Sequence, residues 1–153
     1  FLYGYGEKHT HSSISQAHDL TTLGSKDTSA QAYRMAGVGP KDMDFAQLYD
    51  SFSINPIIYA EDLGLCAKGQ GGAFFAGGRT APGGEFPVNT YGGLMSFGHV
   101  GDASGQTMIV EAARQIMGIA GEARQLKKAD LGVVHCYGGM MSEHATLVLG
   151  SAS

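Results

Sequence analysis

Cysteine is scarce in this chain: Cys66 and Cys136 are the only two, they lie far apart, and they form no Cys-x-x-Cys pair. That argues against a disulfide framework and against a structural zinc site of thiolate spacing. Charge is sparse as well. Charged residues make up 16% of the chain and the net charge is −4, so no broad basic surface is available to neutralise a phosphate backbone. General nucleic-acid binding is disfavoured, while local anion binding stays open. No uninterrupted apolar run is long enough to span a bilayer, and the opening residues lack the basic-then-apolar order of a signal peptide. Together these absences suggest a reducing, cytoplasmic setting. The chain opens at Phe1 without a methionine and enters strand-like text at once (Phe1, Leu2, Tyr3, Tyr5), as a fragment or a processed chain would.

A length of 153 residues with 43% hydrophobic composition suits one domain, residues 1–153, with a core of its own. Glycine is abundant, at 24 residues, but it gathers at particular joints without a repeating period. Such clusters beside polar residues mark tight, ligand-facing loops.

The pattern predicts a helix over 26–38, with Asp27 or Ser29 as its cap and Gly37 and Gly39 as its stop. A short apolar run over 44–48 then ends in the polar turn Tyr49-Asp50-Ser51-Phe52, and Ile54, Ile57, Ile58 and Leu63 follow at helical spacing. Asp50 or Ser51 is placed to cap that helix. Residues 64–93 are glycine-rich and weakly periodic, which reads as a long loop and a binding wall. The clearest helix follows Gly98-His99, with Gly105, Ile109, Ala112, Ala113, Ile116 and Met117 on one face. Residues 131–136 and 145–149 read as a closing antiparallel strand pair. The expected fold is α/β, a mixed sheet flanked by helices.

Several residues carry chemistry or a blander structural role. His99, glycine-flanked ahead of the long helix, suits a neutral imidazole that takes a proton or donates to an oxyanion; the alternative is a capping or loop histidine. Cys136 at a strand tip is either an acid/base or nucleophilic thiol or a small buried hydrophobe. Tyr49 beside Asp50 is either a proton donor or a packed ring next to a cap. His9, His11 and His18 read as a surface loop. His135 and His144 flank the final turn and approach each other, with no third metal ligand apparent.

In order, Leu48-Tyr49-Asp50-Ser51-Phe52, Asn89-Thr90-Tyr91-Gly92-Gly93, Gly98-His99, Gly105 and Cys136-Tyr137-Gly138-Gly139 resemble the C-terminal half of the thiolases. Glu61-Asp62-Leu63-Gly64-Leu65-Cys66, Lys68-Gly69-Gln70-Gly71-Gly72 and Glu111 with Arg114-Gln115 are similar to the sterol-carrier or lipid-transfer branch of that family. The resemblance implies acyltransferase chemistry at carbon–carbon bonds of a coenzyme A thioester, with no separate cofactor and no metal. It implies that His99 activates a cysteine nucleophile in an N-terminal half, for which this chain holds no motif. It further implies that Cys136 moves a proton at the substrate α-carbon, that the Gly138 amide serves an oxyanion, and that Gly92 and Gly93 border the substrate. The expected partners are the N-terminal half and a second copy in a homo-oligomer.

Two positions depart from the family pattern. Tyr49 stands where histidine or asparagine is common, and Val100 replaces the proline after Gly98-His99. Tyr49 opens an alternative, because relatives of this branch include retro-aldolases that act on side-chain acyl-CoA thioesters with a zinc-ribbon/OB-fold partner. A different class is a non-catalytic acyl-binding or assembly module, inactive alone and exposing an apolar face to its partner.

Overall fold

The computed structural model describes residues 1–152. Its framework is a four-stranded mixed sheet, in the order β1-β4-β3-β2, built from β1 (Leu2–His9), β2 (Phe45–Leu48), β3 (Leu131–Gly138) and β4 (Glu143–Gly150). Strand β2 runs parallel to β3, and β4 is antiparallel to both β3 and β1. The closing pair expected at the end of the chain is therefore present, two residues longer at the β3 end and starting two residues earlier in β4.

Helix α1 (Ser25–Ala36) packs on β1 and β4. Its contact face on β1 is glycine because the backbones nearly touch: a Cβ at Gly4 would lie 2.2 Å from Ala32 O, and one at Gly6 2.2 Å from Thr28 O. Gly37 ends the helix in the left-handed conformation (φ 70°), as expected. The start differs from expectation. The N-cap is Gly24, Asp27 instead pairs with Lys8, and Ser29 bonds Lys26 O from within the helix.

Helix α2 (Ile54–Asp62) follows β2, and the 64–93 stretch contains the short helix α3 (Gly71–Phe75). This stretch is also tied to the sheet, through Ala46 N to Pro87 O and Asn89 N to Ala46 O. Glycines hide these pieces from a periodicity search because they carry no side chain to count. Helix α4 (Gly93–Phe97) leads to His99, and α5 (Ser104–Ile116) follows. The buried face of α5 is Ser104, Met108, Glu111, Ala112 and Gln115, and Met117 is exposed. That corrects the expected stripe by part of a turn. Its polar members join a network: Gln47 of β2 donates to Thr90, Thr90 and Gln115 donate to Glu111 Oε1, and Arg124 donates to Glu111 Oε2 at 2.8 Å.

Strand alternation sorts the helices into layers. Tyr137 meets Asn55 of α2, and His135 bonds Thr146, which meets Thr28 of α1; Cys136, on the other face, lies against Gly105 of α5. So α1 and α2 cover one face and α5 the other. Helix α5 packs mainly on β3 and β2. Over β4 and β1 the same face presents Leu147 and the exposed ring of Tyr5, which are paired across the strands. Among the described residues, no helix is long and apolar enough to cross a membrane.

Candidate active site

A cavity of about 910 Å³ opens at the end of β2 and β3, on the side of α5, with Tyr49, His99, Gly105, Cys136, Tyr137 and Gly138 in its wall. Four residues marked by the sequence, Tyr49, His99, Cys136 and Gly138, thus meet in one place. Tyr49 extends β2, its backbone N–H bonded to His135 O at 3.0 Å. The α5 backbone passes close to the thiol at Gly105, where a Cβ would stand in ordinary van der Waals contact with Cys136 Sγ at 3.4 Å.

Tyr49 Oη lies 2.8 Å from His99 Nε2, and the N–H of Gly101 points at His99 Nδ1 at 3.2 Å. The second contact fixes the direction of the first. A nitrogen that accepts from an amide carries no proton, so the neutral ring holds its proton on Nε2 and donates it to the phenol oxygen. The hydroxyl proton of Tyr49 is then free to be donated, with the Ser104 side chain as well as the cavity within its reach. Burial holds that hydroxyl above the usual tyrosine range, so it keeps its proton at neutral pH. His99 does not sit on the first turn of the long helix. A 3-10 turn over Gly101–Ala103 intervenes, and it is the Gly101 amide, not the start of α5, that meets the ring. Burial likewise pushes the Cys136 thiol up, which favours the protonated thiol over the thiolate.

In the same wall, Tyr137 packs edge-on against Tyr49 with ring centroids 4.9 Å apart, and its hydroxyl is 2.6 Å from Ser51 Oγ and 3.2 Å from Asn55 Nδ2. Tyr137 was not singled out by pattern. Its only signal was its place between Cys136 and Gly138.

Asp50 does not cap α2, whose N-cap is Ser53. Its carboxylate accepts the N–H of Leu94 at 2.7 Å and so caps α4. That explains Gly93, where a Cβ would lie 2.1 Å from Asp50 Oδ2. Gly92 and Gly93 lie at the start of α4 and outside the cavity wall. His9 and His18 are exposed, whereas His11, expected on a surface loop, is buried under the β3–β4 turn. His135 and His144 do approach, with rings nearly parallel and centroids 5.5 Å apart. Among the described residues, no three His, Cys, Asp or Glu side chains gather as metal ligands would.

Fold and cavity define a layered α/β unit with a cavity lined by Tyr49, His99 and Cys136 at its strand ends. A family model described as "Thiolase C-terminal domain-like" matches residues 6–151, and the chain belongs to that family. It is 40% identical over 122 residues to the acetyl-CoA acetyltransferase of Methanothermobacter thermautotrophicus, covering 79% of this chain and 32% of that protein. It is 40% identical over 114 residues to the sterol carrier protein 2 of Rattus norvegicus, covering 74% of this chain and 21% of that one. Among solved structures, the Ltp2-ChsH2(DUF35) aldolase superposes with a TM-score of 0.85 at 26% identity, over 99% of this chain and 39% of that one. The SCP2-thiolase-like protein type 1 of Mycobacterium smegmatis superposes with a TM-score of 0.73 at 19% identity, over 100% of this chain and 29% of that one, a likeness of fold. The chain therefore spans a third or less of the length of these two curated relatives.

Proposed function

We propose that this chain supplies the acid/base part of a site that makes or breaks carbon–carbon bonds in acyl-CoA thioesters, completed by an N-terminal thiolase half. The observation that carries this reading is the meeting of Tyr49, His99 and Cys136 in one cavity beside Gly138. Cleavage next to a thioester leaves an enolate, which needs a hydrogen-bond donor at its oxygen and a proton at its α-carbon. The free Tyr49 proton and the Gly138 amide suit the first need, and the protonated Cys136 thiol suits the second. In the thiolase reading, His99 deprotonates the nucleophilic thiol of the other half. A homo-oligomer and a cytoplasmic setting are part of the proposal, and the two free cysteines fit a reducing setting.

A retro-aldol reading has a specific observation in its favour. His99 Nε2, the atom a thiol nucleophile would need, is occupied by Tyr49 at 2.8 Å. Retro-aldol cleavage uses no thiol nucleophile, and the structural likeness to the Ltp2-ChsH2(DUF35) aldolase points the same way. In this reading a zinc-ribbon/OB-fold protein is the expected partner.

The experiment is a pair of assays on the full-length parent protein, with and without such a partner. One follows thiolysis of a 3-ketoacyl-CoA and the other cleavage of a 3-hydroxyacyl-CoA. Thiolysis abolished by His99→Ala supports the thiolase reading; hydroxyacyl cleavage lost in Tyr49→Phe supports the aldolase. Inactivity on both substrates, or activity unchanged in both variants, overturns the assignment.

A further inference from the structure

Three successive carbonyls of the turn between β3 and β4 are held by groups from outside it. Met140 O accepts from His11 Nε2 at 3.1 Å, and Met141 O accepts from His144 Nε2 at 3.0 Å. Ser142 O accepts from the backbone N–H of Thr10 at 2.8 Å, and the Thr10 hydroxyl donates to His11 Nδ1 at 2.9 Å, which leaves the His11 proton on Nε2. A tight hairpin closes without such help. Here the turn is also strained, since Met141 sits at φ 59°, a left-handed conformation that costs a non-glycine residue roughly 1 kcal/mol or more and persists only where the surroundings impose it.

The orientation of the His144 ring follows from its partners. Nε2 faces a carbonyl and carries the proton, so Nδ1 is an acceptor facing His135 Nε2 at 3.4 Å. His135 then accepts at Nδ1 from the Thr146 hydroxyl at 2.8 Å, and Thr146 Oγ1 lies 2.7 Å from Thr28 Oγ1 of α1. The donors run one way, from the core to the turn. Space for the ring comes from Gly24, where a Cβ would lie 2.6 Å from His144 Cδ2. His144 is also part of the cavity wall, next to Gly138 and Gly139.

We infer that His144 and His11 are positioning residues of the site: by gripping Met141 O and Met140 O they set the turn that presents Gly138 to the cavity. The inference rests on the acyl-CoA reading only for the role given to Gly138. The holding of the turn stands apart from it.

The test uses the full-length parent with His144→Leu, His144→Gln and His11→Leu. Glutamine keeps a donor that reaches the carbonyl; leucine does not. Amide exchange of the peptides spanning 138–143 and of α5 is read by mass spectrometry, beside kcat and KM for acyl-CoA cleavage. The leucine variants are expected to exchange roughly 10-fold faster in the turn, the scale of one lost hydrogen bond. Exchange in α5 stays unchanged, kcat falls by a similar factor at nearly constant KM, and His144→Gln recovers most of both. Should His144→Leu fail to fold, Gly24→Ala displaces the ring without deleting it and gives the same acceleration. Unchanged exchange in the turn, acceleration equal in α5, or glutamine no better than leucine overturns the inference. A wild-type parent inactive on acyl-CoA sinks the functional reading alone, because exchange still decides whether the histidines hold the turn.

Discussion

At the scale of single residues, His135 and His144 are kept neutral. Burial holds the imidazole of each below the usual histidine range, and for His135 the neighbouring ring adds to the effect. The unfolded chain takes up protons on these rings below about pH 6.5, whereas the folded one does not. Their contribution to stability is therefore complete above that pH and is lost as pH falls, by up to about 1.4 kcal/mol per pH unit for each ring. The thermal midpoint is expected to drop between about pH 7.5 and 5.5, and His135→Gln should flatten that slope; an equal slope in the variant would assign it to other groups. The wording of the sequence marked Tyr49, His99, Cys136 and Gly138, but not what they do to one another. The Tyr49–His99 bond joins residues 50 positions apart, and the amide that sets its direction belongs to Gly101, which no motif distinguishes. His144 was visible only as a neighbour of His135. Its grip on Met141 O depends on a turn whose conformation is set by tertiary contacts.

At the scale of elements, the short α4 carries the chain from Gly93 towards His99 and is anchored by a residue of another segment. Asp50 follows Tyr49 directly, so one dipeptide touches both ends of the α4–His99 segment: Asp50 holds Leu94 N and Tyr49 holds His99 Nε2. Gly93→Ala puts a methyl into the Asp50 carboxylate and forces alanine to φ 67°. It is expected to cost roughly 2 kcal/mol, measured as a lower denaturant midpoint, and to reduce turnover as His99 shifts. A variant of wild-type midpoint would show that α4 gives way freely. The principal helices and strands were legible because they alternate or repeat with apolar side chains. The N-caps were not, since Asp27 pairs with Lys8 and Asp50 turns to α4, and both choices are made by segments distant in sequence. The α3 segment escaped notice because Gly71 and Gly72 begin it.

At the scale of the whole molecule, the sheet has one face fully covered by α1 and α2 and the other only half covered by α5. The Tyr5 and Leu147 side of that second face remains open to a further layer. Apolar area of this kind is worth about 25 cal/mol per Å² when removed from water. The isolated chain is therefore expected to bind a hydrophobic dye such as ANS, and adding the N-terminal part of the parent should suppress the signal. Dye binding unaffected by that addition would place the partner elsewhere. The layered fold was legible from the order of strands and helices, whereas the half-covered face was not, because which side of a strand is buried depends on where α5 lands.

The pairing of β1 with β4 has a consequence in time. The first strand has no partner until residues 143–150 exist, and β4 is an inner strand that joins β1 to β3. A chain growing from its N-terminus can form α1 and α2 early. It cannot close its sheet until residues 143–150 have been added. Contacts of such long sequence separation slow folding, so the glycine face of β1 must wait beside α1, without its β4 partner, until those residues emerge.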